Sequence, residues 1–349
     1  MLSLPFNYLF LLMMFLGTMF SISSLHWLGI WVGLEVNLIG FLPVLIYGKS
    51  MTESEAGTKY FIMQALGSSF LMFSSLVLFN ISFSWEISVM LEFNYFFGGV
   101  IMLVSGLLMK VGLFPFHFWF PSVMSGLSWV CCLLLVTWQK LAPVFLVSVV
   151  LETMSAMWLI LLICVFSSGS ALVGGFGGVN QSQIRGLLAY SSISHMGWIF
   201  YALCQSSYNM KVYFFIYIII SICLFIILWY SNIALMVGLN SLNKNLFVYF
   251  SVILLFLSLG GLPPLLGFVA KWNVFISSVE FSMGVFVMLL IVGSIMSLFY
   301  YLSLMFVFYV NSYNSINTGV ISFGLVGLIV FINLLGGVGI MMFDFLSFI

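Results

Sequence analysis

The sequence predicts an all-α polytopic membrane protein of about eleven transmembrane helices, two of them broken. Three observations carry this prediction. Of 349 residues, 64% are hydrophobic and 5% are charged, where a soluble domain carries about 25% charged residues. Apolar runs recur at about 20 residues, the length that crosses a hydrocarbon core as a helix. The runs do not alternate in polarity, so they do not suit the closed barrel that a lipid-exposed strand requires. Eight basic and eight acidic residues cannot cover a water-soluble particle of this size. A cytosolic enzyme, a nucleic-acid binder and a disordered chain are thereby excluded. Five cysteines without paired spacing exclude a disulfide scaffold.

Taken in order, the spans are read at Pro5–Ile22, Leu25–Ile46, Thr58–Ile81, Phe93–Phe120, Leu127–Val149, Met154–Val173, Ile184–Leu203, Val212–Leu235, Leu246–Phe275, Phe281–Phe308 and Val320–Phe343. The first begins without a basic n-region, which argues against a secretory signal or an Arg-rich transit peptide. So apolar a chain is expected to be made where it is inserted, within an organelle. The sixth span runs into Gly174-Gly-Phe-Gly-Gly178, which lacks a G-x-G-x-x-G pattern and follows no strand, so a nucleotide site is not expected there.

Most of the charges fall between spans and sort by side. One face receives Lys49, Lys59, Arg185 and Lys244 with Glu53 and Glu55; the other receives Glu86, Glu92, Glu152, Glu280 and Asp344 with Lys211. The positive-inside rule puts the N-terminus on the side of synthesis and the C-terminus on the opposite side.

Glu35, Lys110, Lys140 and Lys271 remain inside spans, with His117 and His195. Each charge at mid-bilayer costs about 2.5–3.5 kcal/mol on insertion scales, so buried ionisable residues read by default as a functional polar path. Glu35 stands in Trp31-Val-Gly-Leu-Glu35-Val-Asn37, where Gly33 lets a second helix come close. The bland reading is a structural ion pair, but such a pair does not require additional buried lysines. Lys110 precedes Pro115, His117 and Pro121; Lys271 follows Gly260-Gly-Leu-Pro263-Pro264. Proline breaks helical hydrogen bonding, and the freed carbonyls need a polar or watery cavity. Two interrupted spans that each carry a lysine suit the two halves of a transporter-like repeat, although Pro and Gly also kink ordinary membrane helices. Lys140 lies too far from either end of its span to snorkel easily. His195 sits among Ser191, Ser192 and Ser194, and reads as a relay residue or as a hydrogen-bonded packing residue.

A buried lysine suits proton work when an acidic partner can move. Burial weakens an ammonium's hold on its proton and a nearby carboxylate restores it. A thousandfold change in proton affinity is about 4 kcal/mol, against about 2.3 kcal/mol for moving one charge through 100 mV.

The motifs Trp31-x-Gly-Leu-Glu35-x-Asn37, Glu55-Ala-x-x-Lys59-Tyr-Phe61, Lys110-x-Gly-x-x-Pro115-Phe-His-Phe-Trp119, Thr137-Trp-Gln-Lys-Leu-Ala-Pro143, Leu187-x-Ala-Tyr-Ser-Ser-Ile-Ser-His195-Met-Gly-Trp198 and Leu259-Gly-Gly-Leu-Pro-Pro264 with Lys271-Trp272 resemble the mitochondrial NADH dehydrogenase subunit 2 family. That family belongs to the antiporter-like membrane subunits of respiratory complex I. The resemblance runs in order from Glu35 to Trp272; beyond Trp272 it is one of hydropathy. It implies antiporter-like inverted five-helix repeats, the first over residues 1–149 and the second over 150–308, followed by a C-terminal transmembrane helix over 309–349. It implies that Glu35 and Lys110 form a charged pair, Lys140 connects, Lys271 serves the second broken helix, and His195 and His117 join the proton relay. It places NADH, FMN, iron–sulfur clusters and ubiquinone in other subunits. It also implies neighbouring antiporter-like and small membrane-arm subunits and lipids such as cardiolipin as partners, no nucleic acid, and the inner mitochondrial membrane with the N-terminus towards the matrix. The residues agree: there is no cysteine cluster and no dinucleotide motif. Cys131, Cys132, Cys164, Cys204 and Cys223 fall in apolar runs and read as small packing residues.

A cation/proton antiporter, stand-alone or multisubunit, is the alternative function, and a membrane scaffold without transport the third. The buried lysines stand against the scaffold. The Phe- and Met-rich, charge-poor style typical of organelle-encoded chains stands against the antiporter.

Overall fold

The computed structural model describes residues 5–48, 50–87, 97–154, 156–231, 246–263, 265–281 and 283–312, with isolated positions near the C-terminus. Thirteen α-helices and no β-strand occur among them. They fall into two compact units, Met1–Ile163 and Cys164–Ile349.

In the first unit, α1 (Pro5–Ser23) packs along α2 (Trp27–Ile46). Small residues make the close approach possible. A Cβ built on Gly33 would lie 2.6 Å from the Ser21 backbone nitrogen. The apolar side chains of α1 that face away from α2, among them Leu12, Leu16 and Met19, are exposed, as a lipid-facing surface requires.

Helix α3 (Met51–Ser82) starts two turns before the predicted Thr58. Ser50 caps it by accepting from the Glu53 N–H at 3.2 Å, so the sequence Ser50-Met-Thr-Glu53 acts as a helix start. Its 32 residues rise about 48 Å, more than the hydrocarbon core needs. Glu55 and Lys59 are exposed in its first turns. Phe83 closes it in the left-handed region (φ 52°), its N–H bonded to Phe79 O at 2.8 Å.

The fourth predicted span is broken, as expected, into α4 (Phe97–Val111) and α5 (Trp119–Gly126). Gly112 takes φ +80°, and the N–H groups of Gly112 and Leu113 both reach Leu108 O. That is a glycine helix stop, and Pro115 beyond it cannot resume the helix. The Phe114–Pro115 bond is cis. The fifth predicted span is also interrupted, which was not expected. It divides into α6 (Trp129–Val136) and α7 (Trp138–Met154) at Thr137, whose hydroxyl donates to Leu133 O at 2.7 Å. A threonine that bonds back one turn competes with the helix and bends it.

Helix α8 (Met157–Val179) straddles the boundary between the units. The Gly-rich stretch expected to end it is helical throughout. A Cβ on Gly174 would lie 2.6 Å from Ser194 N, so these glycines serve close packing rather than a loop. The second unit continues with α9 (Ile184–Gln205), α10 (Ser207–Ser231), α11 (Leu246–Gly260), α12 (Leu266–Glu280) and α13 (Gly284–Ser312). Helix α9 is its centre, with nearly all of its residues buried. The break between α11 and α12 repeats the first: Gly261 takes φ +81°, and Gly261 and Leu262 both bond back to Leu257 O.

Among the described residues, eight helical stretches are long and apolar enough to span a membrane on their own. The two broken helices bring the described spans to ten, on the predicted segments. The predicted span Val320–Phe343 lies outside the described residues.

Candidate functional site

The predicted polar residues are divided between the units. Glu35, Lys110, His117 and Lys140 lie in the first; His195 and Lys271 lie in the second. Each unit holds one glycine–proline break with a lysine beside it.

In the first unit, Lys110 sits in the last turn of α4, where a cation complements the helix dipole. It is 6% exposed. The α3 helix passes close to it because two glycines meet: a Cβ on Gly106 would lie 3.0 Å from Gly67 O, and one on Gly67 3.1 Å from Lys110 Cγ. Gln64 on α3 donates to the Lys110 carbonyl at 3.2 Å, holding the end of the broken helix. Glu35 on α2 acts electrostatically on Lys110 and on the Tyr60 hydroxyl of α3. Its Oε1 is buried and has no hydrogen-bond partner among the described residues.

His117 lies in the break and is 6% exposed. Its ring stands against Phe114 and Phe118, with centroids 6.1 and 4.1 Å away. Lys140 is 2% exposed on α7, one turn past the bend at Thr137, and its Nζ stands 4.6 Å from the centroid of the Phe120 ring. A cation over an aromatic face recovers part of its lost hydration. Pro143 in the same helix lacks the N–H that would bond the Gln139 carbonyl.

In the second unit, Lys271 folds back from α12 across the break. Its Nζ donates to Gly260 O at 2.9 Å and to Leu259 O at 3.5 Å, the last carbonyls of α11. Both lysines therefore stand at the carbonyl end of an interrupted helix, Lys110 from its own chain direction and Lys271 from the half-helix that follows. A cavity of about 280 Å³ opens beside Lys271, lined by Trp198, Phe268, Trp272, Phe275 and Ser294 among others. His195 on α9 is buried, with its Nδ1 3.1 Å from the Tyr213 hydroxyl and its ring 5.2 Å from that of Tyr217. Tyr300 and Tyr301 on α13 are fully buried beside Ser194 and Ser191.

Sequence reasoning about charged residues passed over the neutral ones. Asn37, Tyr60, Gln64 and Gln139 in the first unit, and Tyr213 and Tyr217 in the second, were given no role. The signal was present: a neutral amide within an apolar span needs a partner as surely as a charge does. Asn37 and Gln139 each stand next or next but one to a buried charge. Among the described residues no group of three or more His, Cys, Asp or Glu side chains gathers as a metal site would. Cys131, Cys132, Cys164 and Cys204 are buried and Cys223 is half-buried, and none of the five is in a disulfide.

Comparison with known proteins adds the ancestry. The family described as "NADH:quinone oxidoreductase/Mrp antiporter, TM" matches residues 24–297. The NADH-ubiquinone oxidoreductase chain 2 of Myxine glutinosa is 40% identical over 293 residues, covering 84% of this chain and 82% of that one. Its counterpart in Anopheles gambiae is 38% identical over 311 residues, covering 88% and 87%. A chain of the respiratory complex I of Thermus thermophilus, solved with bound aureothin, shares the fold with a TM-score of 0.76 at 24% identity, covering 96% of this chain and 79% of that one.

Proposed function

Because this chain belongs to the NADH:quinone oxidoreductase/Mrp antiporter transmembrane family, within its NADH-ubiquinone oxidoreductase chain 2 group, we propose that Glu35, Lys110, Lys140, His117, His195 and Lys271 carry the proton path by which it works. The chain is a multi-pass membrane subunit of the proton-pumping NADH:ubiquinone oxidoreductase, complex I. It moves protons in step with electron transfer in other subunits. In this reading NADH, FMN, iron–sulfur clusters and ubiquinone bind elsewhere in the complex. The membrane is the inner mitochondrial one, with the N-terminus on the matrix side and the C-terminus on the intermembrane-space side. Neighbouring antiporter-like and small membrane-arm subunits and lipids such as cardiolipin surround it. Residues 1–149 and 150–308 form the two inverted repeats, and 309–349 the C-terminal transmembrane helix.

One observation carries the site assignment. Glu35 and Lys110 share an electrostatic environment at a helix break, and the carboxylate keeps a buried oxygen with no hydrogen-bond partner among the described residues. A purely structural ion pair satisfies its atoms; a carboxylate held near an ammonium with an open oxygen can accept a proton or change partner. Approach of Glu35 to Lys110 holds the ammonium proton, and retreat releases it. The break after Val111 supplies the unwound backbone at which a proton enters or leaves a helix interior. Lys140 offers the next basic nitrogen within the first unit. In the second unit Lys271, bound to the carbonyl end of α11, and His195, bound to Tyr213, offer the corresponding groups.

The test is proton pumping by the assembled complex in proteoliposomes. Glu35→Gln or Lys110→Met lowers proton translocation and coupled NADH:ubiquinone turnover and leaves reduction of a soluble acceptor by NADH intact. Full proton stoichiometry in an assembled Lys110→Met complex refutes the assignment. An independent cation/proton antiporter, the other function found in this family, would instead purify without NADH-oxidising activity.

A further inference from the structure

Three neutral polar side chains are built into the region that holds Glu35, Lys110 and Lys140. Asn37 follows Glu35 by two residues on α2, Gln139 precedes Lys140 on α7, and Tyr60 lies on α3. Asn37 Nδ2 donates to Gln139 Oε1 at 2.7 Å, and Gln139 Nε2 donates back to Asn37 Oδ1 at 3.1 Å. The Tyr60 hydroxyl donates to the same Gln139 oxygen at 3.4 Å. Asn37 is 5% exposed and Tyr60 2%. The Tyr60 ring is fixed by Phe41 on α2 and Trp119 on α5, with centroids 5.3 and 5.9 Å away.

Two amides bonded to each other satisfy one another without charge, so they add little cost to burial. Their effect is on register: they pin α2 to α7, and so pin Glu35 relative to the backbone of Lys140. Tyr60 joins this pair to α3, the helix that packs against Lys110. Its hydroxyl has one proton to donate. Here it goes to a neutral amide oxygen, although the Glu35 carboxylate lies within electrostatic reach, and a bond to an ionised carboxylate is about twice as strong. The same hydroxyl thus ties α3 to the amide pair within the field of the Glu35 carboxylate.

We propose that Tyr60, held by the Asn37–Gln139 amide pair, is the positioning residue for proton exchange at Glu35. The amide pair fixes the α2 backbone that carries Glu35 against the α7 backbone that carries Lys140, and Tyr60 ties both to α3. The inference rests on the proton-path reading of Glu35 and Lys110 and adds to it the groups that hold the carboxylate in place.

Tyr60→Phe removes one O–H and keeps both ring contacts. In the assembled complex in proteoliposomes, coupled turnover falls about fivefold, the weight of one hydrogen bond at the limiting step. Infrared difference spectra carry the distinguishing signature. The carboxyl band identified as that of Glu35 by its loss in Glu35→Gln moves in Tyr60→Phe, which packing alone would not cause. Gln139→Leu lowers turnover, and the exchanged pair Asn37→Gln/Gln139→Asn, which keeps an amide facing an amide, restores it relative to Asn37→Leu/Gln139→Leu. Unchanged turnover with an unmoved carboxyl band in Tyr60→Phe overturns the role of Tyr60. An exchanged pair that restores nothing overturns that of the amides. If Glu35→Gln pumps normally, the proton-path reading falls as well; if it is inactive and Tyr60→Phe is indistinguishable from the unaltered complex, this inference falls alone.

Discussion

Gly33→Ala is a one-methyl perturbation two residues from Glu35. The new Cβ would stand 2.6 Å from the Ser21 backbone nitrogen and 2.8 Å from Ser21 Cα and Cβ, where ordinary contact begins at 3.4 Å. The nearest atom is backbone, and Ser21 is fully buried with its hydroxyl bonded to Thr18 O at 2.8 Å. No flexible side-chain end can yield, so α1 and α2 must separate by several tenths of an ångström. Overpacking of this kind costs about 1–3 kcal/mol, here towards the upper end because the obstacle is main chain. Alanine's higher helix propensity returns about 1 kcal/mol, leaving a net loss of about 2 kcal/mol. A control isolates the steric term: a Cβ on Gly284 meets nothing within 4 Å, so Gly284→Ala is neutral or slightly stabilising. The assay is thermal inactivation of the assembled complex, followed together with the amount assembled. Gly33→Ala inactivates at lower temperature than Gly284→Ala and loses coupled turnover before NADH oxidation by a soluble acceptor. Equal inactivation of the two variants, with equal assembly, would refute the claim that the α1–α2 approach positions Glu35.

Two further outcomes concern the second unit. Lys271→Met removes the donor to Gly260 O and Leu259 O; it weakens the break by about 1.5–3 kcal/mol, the worth of a hydrogen bond to a charged group, and lowers the proton-to-electron ratio measured in proteoliposomes. Tyr213→Phe takes away the hydroxyl at His195 Nδ1, costs about 1 kcal/mol, and changes the nitrogen resonances of that histidine in solid-state NMR; unchanged resonances would remove Tyr213 from the site.

Much of the fold was legible because membrane spanning obeys few rules. A backbone in lipid must bond to itself, so an apolar run of span length becomes a helix whatever its neighbours do. The breaks were legible because Gly112 with Pro115, and Gly261 with the prolines after it, carry their stop signal locally. The described charges outside the site lie at or near helix ends, as their rarity within the apolar runs suggested. Three features escaped. The bend at Thr137 depends on one hydroxyl choosing its own helix over solvent, which composition does not announce. Gly174–Gly178 reads as a loop by propensity and becomes helix because α8 must approach Ser194 on α9. Helix α3 begins two turns early because the Ser50 hydroxyl accepts from the Glu53 N–H and caps a turn beyond the apolar run.

For the site, the sequence by itself determined which groups are present: four buried charges and two histidines in a chain that otherwise keeps its charges out of the membrane. Insertion free energy makes each such residue conspicuous one at a time, so no contact need be known to notice it. Partnership was decided only by tertiary structure. Glu35 comes within electrostatic range of Lys110 because α3, which packs on α2, meets α4 through Gly67 and Gly106; Lys140 stands over Phe120; Asn37 meets Gln139 across 102 residues of sequence. Hydrogen bonds and charge interactions act over a few ångströms, and that proximity is set by how the helices pack rather than by the order of residues along any one of them.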